Sequence, residues 1–189
     1  MNSMSIQKPL KVHPHKFAMW LGIAGMVMLF ASLTSAYIIR KSAGNWTEFN
    51  LPSVFWINTL LVIGSSVTLF FAVRNHKALN NGQYKIWITL TSVLGILFLI
   101  GQIKGWKDLT AGGILLTGNP SGSFVYVISG LHAVHMLGGV IALLIATIAS
   151  WIKPFNPKKI TGLEVISIYW HFVAVLWIYL FIFFQINIV

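Results

Sequence analysis

Five apolar stretches, at 17–39, 53–73, 84–103, 124–152 and 162–188, are each long enough to cross the hydrocarbon layer of a bilayer, which takes about 20 residues of helix. A backbone surrounded by lipid must satisfy its N–H and C=O groups internally, so stretches of this kind fold as helices. The expected fold is all-α: a single integral membrane domain over residues 1–189, built from five transmembrane helices. The first stretch does not read as a cleaved signal, because Ala36-Tyr37-Ile38-Ile39-Arg40 lacks a small-x-small cleavage pattern and four more spans follow. Only 8% of the residues are Asp, Glu, Lys or Arg, too few to cover a water-soluble domain of this size.

A formal charge of +10 raises the question of nucleic acid, and the placement of the charges answers it. Lys8, Lys11 and Lys16 precede the first span; Arg74, Lys77 and Lys85 separate the second from the third; Lys153, Lys158 and Lys159 separate the fourth from the fifth. All nine fall on one side of the membrane. The other side sets Arg40 and Lys41 against Glu48, and Lys104 and Lys107 against Asp108. Positive-inside asymmetry then places the N-terminus in the cytoplasm, or its organellar equivalent, and the C-terminus outside. No basic stretch has the length or aromatic interleaving of a nucleic-acid site. No nucleic-acid partner is expected, and the charge serves topology and anionic headgroups.

Between the spans there is little room for a soluble domain. The loop at 104–122 is the longest, and Thr110-Ala111-Gly112-Gly113 and Gly118-Asn119-Pro120-Ser121-Gly122 within it read as successive turns. Trp46, Trp56, Trp106 and Trp151 fall near run ends, where indoles anchor helices at the interface. The absence of cysteine excludes disulfides and thiolate metal sites. Asn58, Thr59, Ser65, Ser66 and Thr68 in the second span, and Gly22, Gly25, Ala31, Ser32, Ser35 and Ala36 in the first, supply small or polar faces for close helix packing.

The last two spans carry the polar exceptions. His132 and His135 lie three residues apart and share a broad helix face, with Gly138 and Gly139 removing bulk one turn further on. Glu164 and His171 lie seven apart, nearly two turns and again one face. The short connection through Pro154 and Pro157 makes the two helices antiparallel neighbours, so a buried polar cluster is geometrically available. Such a cluster has several uses: a metal site, a haem held between histidines of facing helices, or hydrogen bonding among its members, water and lipid headgroups, including a proton route. Spacing alone does not choose among these, although no His-Glu-x-x-His pattern is present.

At these residues the chain resembles subunit III of the haem-copper respiratory oxidases, the cytochrome c oxidase subunit 3 family. Gly162-Leu163-Glu164 through Tyr169-Trp170-His171-Phe172 and on to Trp177 is similar to that family's last helix. Ser129-Gly130-Leu131-His132-Ala133-Val134-His135 is similar to the helix before it, Asn58-Thr59 with Ser65-Ser66 and Thr68 to its Asn-Thr and Ser-Ser helix, and Met19-Trp20 through Met28-Leu29-Phe30 to the first helix of its short, five-helix form. Four matches in order on five correctly spaced spans cover essentially the whole chain.

The resemblance implies a non-catalytic subunit of a proton-pumping cytochrome c oxidase that supports assembly, stability and proton uptake. It implies no haem or metal in this chain, haem and copper in partner subunits I and II, and bound phospholipid in a cleft between two helix bundles, spans one and two against three to five. Headgroup contacts are expected from Arg74, His132 or His171, within a lipid or buried polar set that also includes His135 and Glu164. The expected location is the bacterial inner membrane, with a respiratory supercomplex as a further assembly. Subunit III of a quinol oxidase, and less closely a membrane haem-binding protein, remain alternatives. Two positions depart from the family pattern: Met26 stands where the first helix usually has a glutamate, and Ala174 where Trp-His-Phe-Val is commonly followed by Asp.

Overall fold

The computed structural model describes residues 14–152, 154 and 160–188. Five α-helices account for nearly all of them: α1 (Pro14–Ser42), α2 (Val54–Lys77), α3 (Asn81–Ala111), α4 (Pro120–Ile152) and α5 (Ile160–Ile188). Each is long and apolar enough to cross a membrane, and no strand occurs among the described residues. Lys8, Lys11, Lys153, Lys158 and Lys159, which entered the charge reading, lie outside the described residues.

Local chemistry sets the helix ends. α1 finishes with Arg40 and Lys41, cations that suit the negative end of the helix dipole. Gly44 then takes a left-handed φ of 82°, and its carbonyl accepts from the Arg40 guanidinium. Asn80 caps α3 by accepting from Gln83 N (3.3 Å), and Asn119 Oδ1 accepts from Ser121 N (3.0 Å) where α4 opens with Pro120.

The helices outrun the apolar stretches. Residues 104–111, read from sequence as the start of a long loop, are the last two turns of α3, which is 31 residues long. Hydropathy marks where lipid begins, whereas a helix continues until a residue stops it. The stop here is Gly112-Gly113, with Gly113 at φ 82°. Gly105 does not break the helix, because its missing side chain admits the Phe55 ring of α2, 3.1 Å from where a Cβ would stand.

α2 and α3 pack along their length; α4 packs on α3, and α5 closes the bundle against α2 and α4. α1 packs substantially only on α4 and α5. This corrects the expected division of spans one and two from three to five: α2 belongs with α3 to α5, and α1 stands beside them. The cause is complementary surface. Gly101 and Gly105 of α3 accept Asn58 and Phe55 of α2, and Thr68 Oγ1 bonds Thr91 Oγ1 at 2.8 Å, while the contacts of α1 come from Phe30, Thr34 and Tyr37 on the face turned to α4 and α5.

Trp170 shows how tightly the bundle is keyed. Its indole lies between Gly95 of α3 and Gly139 of α4, where added Cβ atoms would stand 2.7 and 3.0 Å away, and its Nε1 donates to Ser65 Oγ of α2 (3.0 Å). Pinned on three sides, the ring has nowhere to move. Gly95→Ala is therefore expected to cost about 1–3 kcal/mol of stability through overpacking, whereas Gly25→Ala, with nothing within 4 Å of the new methyl, should be neutral or slightly stabilising. Thermal dissociation of the detergent-solubilised protein measures both; equal effects would refute the slot.

Candidate buried polar site and membrane cavity

Antiparallel packing stacks the polar residues of α2 to α5 in levels. At one level Asn58 Nδ2 donates to Gln102 Oε1 (3.4 Å), Trp177 Nε1 donates to Thr59 Oγ1 (3.1 Å), and Trp106 Nε1 donates to Ser129 Oγ (3.0 Å). Two turns along, Trp170 takes Ser65 and His171 Nδ1 shares a hydrogen bond with Ser66 Oγ (2.5 Å). Beyond that come Thr68 with Thr91 and Ser92 with Thr147, each at 2.8 Å. Polar groups inside a bilayer have no water to fall back on, and these pairs are each matched across neighbouring helices.

His132 is fully buried in the Trp177 level. Its ring tilts over the Trp177 indole (5.2 Å between centroids) and meets Phe98 (6.0 Å) and Phe30 (6.3 Å) edge-on, and neither ring nitrogen has a protein partner. His135, one turn on, also meets Phe30 (5.7 Å); its Nδ1 donates to Leu131 O (2.7 Å), and its own carbonyl accepts from Tyr169 OH (2.8 Å). The pair shares a face, and that face is turned to α1.

Glu164 sits at the start of α5 and splits its carboxylate: Oε2 to Lys16 Nζ of α1 (2.7 Å), Oε1 to Lys77 Nζ of α2 (3.0 Å). Near it a cavity of about 920 Å³ opens between α1 and the bundle. Its walls are mostly apolar: Met19, Gly22 and Met26 from α1, Ala146 from α4, Ile166 from α5. Polar side chains of His76, Tyr84, Ser150, Thr161 and Tyr169 are set around it.

The sequence-derived set thus divides. His132 and His135 come together around Phe30. His171 turns away from them to Ser66, Glu164 joins the lysines, and Arg74 lies exposed on the last turn of α2, outside the cavity lining. Among the described residues no group of three or more His, Cys, Asp or Glu side chains could hold a metal ion. A haem has no room at His132, whose ring is enclosed by aromatic neighbours. Asn58, Thr59, Trp170 and Trp177 are buried and cross-linked, and Phe172 packs half-buried against the core. Met26 borders the cavity, and Ala174 is buried in the core.

Of the tryptophans near the span ends, Trp46 folds onto Tyr37 (4.7 Å) and Trp106 is tied to Ser129. Trp151 and Trp56 are exposed; Trp151 lies under Lys85 Nζ (5.1 Å) and donates to Thr89 (3.2 Å). Sequence reasoning missed the Lys16–Glu164–Lys77 triad. Its signal was available: the start of span one, the end of span two and the start of span five all fall on one side of the membrane, where Glu164 is the one acid among basic residues.

The family model for cytochrome c oxidase subunit III matches residues 12–187. Cytochrome c oxidase subunit 3 of Corynebacterium diphtheriae is 34% identical over 164 residues, covering 82% of this chain and 80% of that protein. That of Bacillus subtilis is 31% identical over 167 residues, covering 86% and 81%. Probable cytochrome c oxidase subunit 3 of Mycobacterium tuberculosis strain H37Rv is 32% identical over 168 residues, again covering 86% and 81%. With matches running almost end to end over the same five helices, the chain belongs to the cytochrome c oxidase subunit III family.

Proposed function

We propose that this chain is the non-catalytic subunit III of a proton-pumping haem-copper oxidase that reduces oxygen to water with electrons from cytochrome c. Membership of the family makes it part of a membrane-bound oxidoreductase complex. The finer reading is that it supports assembly, stability and proton uptake while haem and copper reside in subunits I and II, in the bacterial inner membrane and within a respiratory supercomplex. The observation that carries it is the family match over residues 12–187. The engagement of His171 with Ser66, and the enclosure of His132 by rings, support a structural use of the histidines. The names of the relatives favour cytochrome c over quinol as donor.

The protein is expected to purify in mild detergent with a large haem-bearing subunit, and after separation to retain neither haem nor copper. An absorption spectrum and metal analysis of the separated chain decide this. Stoichiometric haem or copper on the chain alone would return it to the membrane haem proteins.

A phospholipid is the proposed occupant of the cavity, its acyl chains against Met19, Met26, Ala146 and Ile166 and its headgroup toward the end where Lys16 and Lys77 stand. This reading differs from the expected headgroup contacts: the His132 ring is enclosed by aromatic neighbours, His171 bonds Ser66, and Arg74 lies off the lining. Native mass spectrometry of the intact complex should show retained phospholipid, and Ala146→Trp, which fills the cavity from α4, should remove most of it. Full retention in that variant would mean the lipid lies elsewhere.

The proposed orientation has the N-terminus in the cytoplasm and the C-terminus outside, from the charge asymmetry. A cysteine replacing Gly113, in the exposed α3–α4 connection, should react with a membrane-impermeant thiol reagent on intact cells. One replacing Ala78, in the α2–α3 turn, should react only after permeabilisation. The reverse pattern would invert the topology.

A further inference from the structure

α1 is held unequally along its length. Its C-terminal half is keyed to the bundle: Phe30, Thr34 and Tyr37 are buried, Thr34 Oγ1 bonds Tyr179 OH (3.1 Å), Tyr37 packs on Phe183 (5.0 Å), and Lys41 Nζ donates to Asn187 O (2.6 Å). In the N-terminal half, Ile23 is the one buried side chain between Lys16 and Leu29. Met19, Gly22 and Met26 face the cavity rather than another helix, and nothing lies within 4 Å of the Cβ positions of Gly22 or Gly25. The polar tie described for this half is Lys16 to Glu164.

We propose that Glu164 is a latch: through its pair with Lys16 it holds the N-terminal half of α1 against α5 and so sets how far the cavity opens toward the bilayer. Two ammonium groups converge on one carboxylate, one per oxygen, beside a low-dielectric wall that strengthens the attraction. Remove the carboxylate and two cations are left side by side near the cavity, with little apolar packing of this half of α1 to oppose their separation. The far half of α1, fixed by Tyr37 and Lys41, then serves as the pivot. A lone half-exposed ion pair contributes little to stability. This one gains leverage because it acts where the helix has few other contacts. The latch rests on the packing of α1 and is independent of what occupies the cavity.

The test measures distances in the purified oxidase complex reconstituted in lipid nanodiscs. The chain has no cysteine of its own, so spin labels are introduced at Leu21→Cys with Ile86→Cys to report the loosely held half of α1, and at Ser35→Cys with Ile103→Cys to report the pivot. Glu164→Gln is expected to lengthen and broaden the first distance and leave the second unchanged. Lys77→Ala should leave both unchanged, because Lys16 keeps its partner. If Glu164→Gln fails to assemble, Lys16→Gln breaks the same bond from the other side and carries the same expectation. An unchanged first distance on loss of the Lys16–Glu164 pair, or equal broadening of both distances, overturns the latch.

Discussion

Two indoles of α5 organise the bundle, because each must both bury a large ring and find an acceptor where no water is available. Trp170 reaches Ser65 and Trp177 reaches Thr59, so α2 is fixed to α5 by a pair of N–H to hydroxyl bonds two turns apart. Each bond adds only about 1 kcal/mol, yet together they set the rotation and register of α2. The rings then dictate their other neighbours. Gly95 and Gly139 give Trp170 its slot, and Phe55 and Phe98 pack on Trp177 at 5.9 and 5.0 Å. His132 joins the same arrangement, its ring packed on Trp177, Phe98 and Phe30.

Much of this was legible in the residues. Apolar length gives the five helices, and small and hydroxyl residues at 58, 59, 65, 66 and 68 mark the face of α2 that meets α3 and α5. Pairing was not legible. Whether Ser66 faces His171 or lipid depends on helix rotation, which composition does not encode, and the i, i+7 relation of Glu164 and His171 says that they share a stripe without saying that neighbours at different heights capture each. The extent of α3 escaped for another reason. Lys104, Lys107 and Asp108 end a hydrophobic run without ending a helix, and the one residue there that weakens a helix, Gly105, is present to admit Phe55.

Met26 and Ala174, the two positions expected to depart from the family pattern, fall in different surroundings. Ala174 lies within the packed core, where a carboxylate would need a partner among apolar neighbours, and an unpaired charge in that setting is costly. Met26 lies against open volume, and its flexible thioether suits a wall that conforms to a variable neighbour. Ala174 thus contributes an apolar side chain to the core, and Met26 an apolar side chain to the cavity wall.

The separation of α1 from α2 bears on how the chain is made. Helices leave the ribosome in order, and α2 with α3 forms an adjacent pair that can associate as soon as both are inserted. α1 emerges first, but its packing partners are the last two helices. Through most of synthesis it is therefore surrounded by lipid or insertion machinery, with its buried Thr34 and Tyr37 awaiting the arrival of α4 and α5. Completion of this fold is a late, long-range event, and a chain stalled before α5 would present an orphan helix to membrane quality control.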